Sequence, residues 1–228
     1  MISLQFALVL LVGYLLGSIP FGLLVGKRSA KVDVREFGSG KIGTTNVLRV
    51  VGRKAAALVV VLDVLKGALA VVVAGLVIGR SYLVVGDFAL GALTAQCLAA
   101  LAAMAGHNWS VFLKFQGGRG VATFFGGLIV LFPLAALFGG EVIIIGVGLS
   151  RFASLGSIAG AVGAYTILVP LTVLNGFPIE YLAYALIGTV AIVFMHRDNI
   201  VRLMSGKERK LGEKGEKVGL PISDEREG

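Results

Sequence analysis

The sequence predicts an all-α, polytopic integral membrane protein with seven transmembrane helices, its N-terminus outside and its C-terminus in the cytoplasm. Three observations carry that prediction. Of 228 residues, 57% are hydrophobic and only 15% charged, where a soluble domain has about a quarter charged. The apolar residues come in long runs, without the alternation of a membrane β-barrel. The basic residues fall in segments that alternate with poorly charged turns, which the positive-inside rule reads as one cytoplasmic face.

A span needs about 20 apolar residues. The runs that meet or approach this lie at 3–25, 55–79, 84–105, 121–138, 140–153, 157–174 and 179–195. The first has no basic leader and is too long for a cleaved signal peptide, so it is read as a retained span. The fifth is short, with Glu141 near its start; either it begins within 134–140 or it is a broken element covered by protein. Between the first two runs lie Lys27, Arg28, Lys31, Arg35, Lys41, Arg49, Arg53 and Lys54, against only Asp33 and Glu36. Lys114 and Arg119, then Arg151, then the segment from His196 share that face. The intervening turns hold Arg80 and Asp87, then Glu141, then Glu180. No internal repeat points to an inverted-repeat transporter. The chain reads as one membrane domain, 1–206, with a charged tail, 207–228, expected to be disordered.

The net charge of +8 does not point to nucleic acid, because it gathers between spans. Cys97 is the single cysteine, so no disulfide framework or cysteine cluster exists; it is expected to pack in the core. There is no Gly-x-Ser-x-Gly elbow, no His-Glu-x-x-His metal motif and no histidine followed five residues on by Asp. No metal and no cofactor are expected. Gly38-Ser39-Gly40-Lys41-Ile42-Gly43 matches Gly-x-Gly-x-x-Gly, but neither a strand before it nor a βαβ unit supports a dinucleotide site. Asp63 and Lys66 lie roughly 13 and 18 Å into the second run at 1.5 Å per residue. Three apart, they share a helix face and are expected to pair and brace the bundle. Trp109 is expected as an interfacial anchor, with Phe124 and Phe125 packing or facing lipid.

Four polar clusters share the cytoplasmic face. The first holds Ser39, Gly40, Lys41, Gly43, Thr45, Asn46 and Arg49. The second runs from His107 through Gly117, Gly118, Arg119 and Gly120 to Thr123, against a helix start whose amides carry partial positive charge. The third centres on Ser154, the fourth on His196 and Asn199. Glycine amides, hydroxyls, ammonium and guanidinium groups suit phosphate, so the clusters read as one composite anion site. A transporter for a phosphorylated solute is the alternative, and a scaffold for anionic lipid a third reading. Against the transporter, the polar groups gather at one face.

The motifs resemble those of the bacterial acyl-phosphate:glycerol-3-phosphate acyltransferase family (PlsY). Ser39 to Arg49 resembles its Ser-Gly-Asn-x-Gly-Ala-Thr-Asn-Val-x-Arg, and Gly106 to Thr123 its Gly-His-x-x-x-Val-Phe-Leu-x-Phe-Lys-Gly-Gly-Lys-Gly-Val-Ala-Thr. Ser150 to Ile158, His196 to Leu203 and Gly17 to Gly22 resemble further family segments. Lys41 stands for a usual Asn, and Gln116 and Arg119 for usual Lys. The resemblance implies transfer of a fatty acyl group from acyl phosphate to the 1-hydroxyl of sn-glycerol 3-phosphate, giving lysophosphatidate and phosphate. That is the first acylation of phospholipid biosynthesis. It implies the bacterial inner membrane, a site facing the cytoplasm, the lipid bilayer as partner, and no obligate protein partner. Ser39, Arg49, His107, Arg119, Ser154, His196 and Asn199 are then the expected catalytic residues. Gly40, Lys41, Gly43, Thr45, Asn46, Gly117, Gly118, Gly120 and Thr123 are the expected phosphate-binding residues. The hydroxyl proton has three candidate acceptors: His107, His196 and a substrate phosphate oxygen.

Overall fold

A computed structural model describes residues 1–217. The first apolar stretch forms α1 (Ile2–Ser18) and α2 (Phe21–Ala30), broken at Ile19-Pro20 because proline has no N–H to continue the helix. The carbonyls freed there find partners. Ser110 Oγ donates to Ser18 O at 2.6 Å and Lys66 Nζ to Ile19 O at 3.1 Å. Short α3 (Thr44–Val50) leads into α4 (Arg53–Ile78), then a hairpin of β1 (Leu83–Val85) and β2 (Phe88–Leu90). There follow α5 (Ala92–Asn108), α6 (Val121–Leu131), α7 (Pro133–Ser150), α8 (Ala153–Asn175), α9 (Ile179–Met195) and α10 (Arg197–Met204).

By length and apolarity, the α1–α2 stretch, α4, α7 and α8 can cross a membrane; α9 with α10, bent by 59°, makes a fifth if counted as one span. Leu65, Leu69, Leu76, Ile144, Leu149 and Val190 stand exposed on the outside, where water would penalise them and lipid does not. This is a helical membrane protein.

Three boundaries differ from expectation. The run at 84–105 does not begin as helix, since Gly86 at a φ of 58° turns a β-branched segment into a hairpin before α5. The run at 121–138 stops at Leu131, because Pro133 takes the first position of α7. The short fifth run is thereby completed backwards to Pro133, giving an unbroken helix of 18 residues.

Close approach of backbones holds the bundle together. A Cβ at Gly13 or Gly17 would strike the carbonyls of Ala99 and Ala103, so α1 lies against α5 through small residues. The core centres on α6. Phe124 stacks on Tyr184 with ring centroids 5.2 Å apart, and Tyr184 Oη donates to Phe124 O at 2.7 Å. Phe125 is buried beside them and Cys97 belongs to the same core, while Trp109 is 41% exposed.

The charged stretch from Lys207, expected to be disordered, is ordered by partners as far as Lys217. Leu211 N donates to Arg151 O at 2.7 Å and Gly38 N to Glu216 O at 2.7 Å. Arg49 Nη2 donates to Arg209 O at 3.2 Å. Residues 207–217 therefore strap the α7–α8 junction to α3 and the loop that precedes it. The rest of the expected tail, 218–228, lies outside the described residues.

Candidate functional site

A cavity of about 470 Å³ opens where the first two glycine-rich loops meet α4, α6, α7 and α8. Its polar end is lined by Ser39, Lys41, Gly43, Thr44, Thr45, Asn46, His107, Arg119, Gly120 and His196. The rest of the lining is mostly apolar, with Val60 and Val64 of α4 on either side of Asp63, Phe125 and Ile129 of α6, and Gly140, Ile143 and Val147 of α7. Charged groups of the loops and apolar groups of the helices thus line one cavity.

The first loop is built around Asn46, which is 2% exposed. Its Nδ2 donates to Val34 O at 2.7 Å, Lys41 O at 2.9 Å and Phe37 O at 3.1 Å, and its Oδ1 accepts from Ser39 N at 2.9 Å. Asn46 was expected to bind phosphate; its side chain is instead spent on shaping the loop. Gly40 N is likewise used, donating to Phe37 O at 3.1 Å. Gly38 and Gly40 take positive φ values of 60° and 67°, which glycine adopts without strain. The outcome is a turn that sets Ser39, Lys41, Thr44 and Thr45 on the cavity wall.

The second loop folds back on the end of α5. Gly118 N donates to His107 O at 3.0 Å and Gly117 N to Asn108 O at 3.1 Å, so these two expected phosphate amides close the loop. Neither glycine lines the cavity, nor does Thr123, which is fully buried with no partner for its hydroxyl among the described residues. What the loop delivers is Arg119, followed by Val121 and Ala122 at the first turn of α6. Burial pushes the Arg119 guanidinium down to about 10; Glu208 pulls it up, and Arg202 and Arg49 push it down. It stays charged at neutral pH. Among the described residues it makes no hydrogen bond and no ion pair.

The third and fourth clusters meet on a residue that sequence reasoning missed. Glu208 accepts from Asn199 Nδ2 at 2.6 Å, Arg202 Nε at 2.8 Å and Ser154 Oγ at 2.9 Å. Ser154 and Asn199 therefore sit behind the cavity lining, held by this carboxylate. Arg202 was also missed, although it stands in the same His-x-x-Asn run; its signal was a cation one turn beyond Asn199. Arg49 is half-buried, and burial lowers its guanidinium, with Arg209 acting in the same direction. Its Nε is buried without a partner among the described residues. Arg49, Arg119 and Arg202 thus crowd one carboxylate, and positive charge is in excess.

The two histidines differ. His196 Nδ1 lies 2.8 Å from Ile192 O, a contact in which the ring must donate, so its other nitrogen carries a lone pair. Burial, then Arg119, push His196 down to about 4, and it is neutral at pH 7. His107 Nδ1 faces Lys66 Nζ at 2.9 Å. The expected Asp63–Lys66 pair does form, at 2.7 Å, and Asp63 lines the cavity. No cluster of metal-ligating side chains occurs among the described residues.

Known proteins are similar to this chain over most of its length. A family model described as "Glycerol-3-phosphate acyltransferase" matches residues 7–206. A protein of Dehalococcoides mccartyi strain CBDB1 named glycerol-3-phosphate acyltransferase 3 is 64% identical over 214 residues, covering 94% of this chain and 99% of its own. A Thermus thermophilus protein named glycerol-3-phosphate acyltransferase is 44% identical over 207 residues, covering 91% and 96%. Among solved structures, the crystal structure of PlsY (YgiH), an integral membrane glycerol 3-phosphate acyltransferase in its glycerol 3-phosphate form, is similar. Its TM-score is 0.78 at 34% identity, over 91% of this chain and 96% of that one. The lysophosphatidic acid form of that protein gives 0.77 at 33% identity, covering 90% and 94%.

Proposed function

The chain belongs to the glycerol-3-phosphate acyltransferase family, and from that premise we propose that it takes its acyl group from acyl phosphate. The fatty chain passes to the 1-hydroxyl of sn-glycerol 3-phosphate, and the products are lysophosphatidate and phosphate. The observation that carries the reading is Arg119: a guanidinium on the wall of a cavity that Lys41 also lines, with no partner among the described residues and in a cluster with excess positive charge. Two phosphates placed side by side repel each other, and such a cluster offsets that repulsion.

In the proposed reaction the hydroxyl oxygen bonds to the acyl carbon and the bond from that carbon to the phosphate oxygen breaks. Acyl phosphate is already activated, so no covalent enzyme intermediate is needed; positioning and charge stabilisation supply the rate. Arg119 and Lys41, with the Ser39 and Thr45 hydroxyls and the Gly43 and Gly120 backbone, hold the phosphates. Arg49, Ser154 and Asn199 keep the wall in place. The proton goes to His107, to the free ring nitrogen of His196 or to a phosphate oxygen. The acyl chain lies in the groove between α4 and α7, floored by Phe125 and Ile129, which gives the membrane location its reason.

The topology belongs to the same proposal. The α1–α2 stretch, α4, α5, α6, α7, α8 and α9 count as seven passes, with the N-terminus outside and the C-terminus in the cytoplasm of a bacterial inner membrane. The basic loops and the cavity mouth share one end, which the positive-inside rule assigns to the cytoplasm. Residues 1–206 form the catalytic domain, and no protein partner is required. Protein reconstituted in liposomes tests the donor. Palmitoyl phosphate with glycerol 3-phosphate yields lysophosphatidate and phosphate in equal amounts. Product from palmitoyl-CoA alone, or movement of glycerol 3-phosphate without acylation, would refute the reading.

A further inference from the structure

Asp63, Lys66 and His107 form a buried cluster that neither phosphate of the proposed reaction requires, yet Asp63 and His107 line the cavity. Their side chains are 2%, 2% and 4% exposed. Lys66 Nζ has three acceptors around it: Asp63 Oδ1 at 2.7 Å, His107 Nδ1 at 2.9 Å and Ile19 O at 3.1 Å. The Phe21 ring lies beyond, its centroid 5.6 Å away. Paired with a carboxylate, lysine is an ammonium with three donors and no acceptor. Two of these donors thus meet Ile19 O and His107 Nδ1 in hydrogen bonds, while Asp63, whose Oδ1 has no hydrogen-bond partner among the described residues, is held as an ion pair within one helix turn.

This fixes the histidine. His107 Nδ1 also faces Asp63 Oδ1, at 3.5 Å, but the ammonium is the nearer group at 2.9 Å and can only donate, so the nitrogen beside it accepts and the proton of neutral His107 sits on Nε2. That nitrogen is aimed at the second loop, because a Cβ built on Gly118 would fall on it. The same histidine also accepts Gly118 N at its carbonyl, at 3.0 Å. His196 has the opposite arrangement, with its Nδ1 spent on Ile192 O.

We infer that Asp63 and Lys66 are positioning residues that lock His107 in the Nε2–H form, so that it meets the substrates as a fixed donor beside Arg119 and not as the proton acceptor. The inference rests on the acyl-transfer reading above. It removes one of three candidate acceptors and gives an intramembrane ion pair a task beyond bracing the bundle.

The chain has only two histidines, which makes the test direct. Full-length protein labelled with ¹⁵N-histidine is reconstituted in bilayers and its ring nitrogens are read by solid-state NMR, with His196→Asn to assign them. The expected result is His107 protonated at Nε2 and His196 at Nδ1. In Lys66→Met the His107 signal shifts toward the Nδ1–H form while His196 does not move. There kcat/KM for glycerol 3-phosphate falls about 10- to 100-fold, the range of one hydrogen bond to a charged group, and Lys66→Arg recovers part of it. His107→Gln, which keeps an N–H near the Nε2 position, retains more activity than His107→Ala. Wild-type His107 protonated at Nδ1 would overturn the inference, as would equal losses in His107→Gln and His107→Ala. The wild-type spectrum decides even if Lys66→Met does not fold. Turnover of palmitoyl phosphate by the same preparation reports separately on the acyl-transfer reading.

Discussion

Ser154 Oγ donates to Glu208 Oε1 across 2.9 Å, tying the first turn of α8 to the chain beyond α10. Asn199 and Arg202 bond the same carboxylate, which is 5% exposed. Three elements thus depend on one acid for their relative placement behind the cavity.

Glu208→Gln is expected to lower the unfolding temperature by about 3–12 °C, taking about 1.5–3 kcal/mol for a charged hydrogen-bond set and about 2–4 °C per kcal/mol for a chain of this size. Burial pushes the Glu208 carboxyl up, but the bonds from Asn199, Ser154 and Arg202 outweigh it and hold the group below its usual range. Its folded pKa is therefore the lower one, so its stabilisation is full above the unfolded value near about 4.3 and is lost as the pH falls through the folded value. Thermal scans across acidic pH should show this loss in the wild type and its absence in the Gln variant.

Asn46→Ala leaves three carbonyls without their donor and Ser39 N without its acceptor. The expected cost is about 2–3 kcal/mol, together with a raised KM for glycerol 3-phosphate, because the loop that carries Ser39 and Lys41 loses its frame. Asn46→Asp should be worse, since it turns an acceptor toward carbonyl oxygens. Steady-state kinetics beside thermal unfolding measures both effects; an Asn46→Ala enzyme with normal stability would contradict the role.

His196 titrates near about 4 when folded and near about 6.5 when unfolded. Between those values the unfolded chain binds more protons, so stability falls as the pH is lowered from about 6.5 to about 4. His196→Asn should flatten that part of the profile. The wild-type rate should show no inflection near pH 6.5, because the ring stays neutral on both sides of it.

Long apolar runs made most helices legible from sequence, since about 20 residues without charge leave few alternatives. The 84–105 boundary was not legible, because Leu-Val-Val-Gly-Asp-Phe is as apolar as a helix end and its hairpin depends on Gly86. The residue types of the glycine loops made them candidates for an anion site. What composition could not tell was which polar groups face outward: Asn46, Gly40, Gly117 and Gly118 satisfy the loops themselves, while Lys41 and Arg119 reach the cavity. Glu208 escaped notice because its partners come from positions 9 and 54 residues away, and a glutamate in a charged stretch looks solvated.

Arg119 remains the most direct point of attack. The measurement is the KM for glycerol 3-phosphate of Arg119→Ala in liposomes, with palmitoyl phosphate saturating and lysophosphatidate as the product counted. Loss of a charge-assisted contact to phosphate predicts a rise of about 10- to 100-fold, with the unfolding temperature little changed because Arg119 bonds no other described residue. Arg119→Lys, which keeps the charge but loses the planar fork, should lie between the two. Full activity of Arg119→Ala at low glycerol 3-phosphate would contradict the assignment of this cavity as the phosphate site.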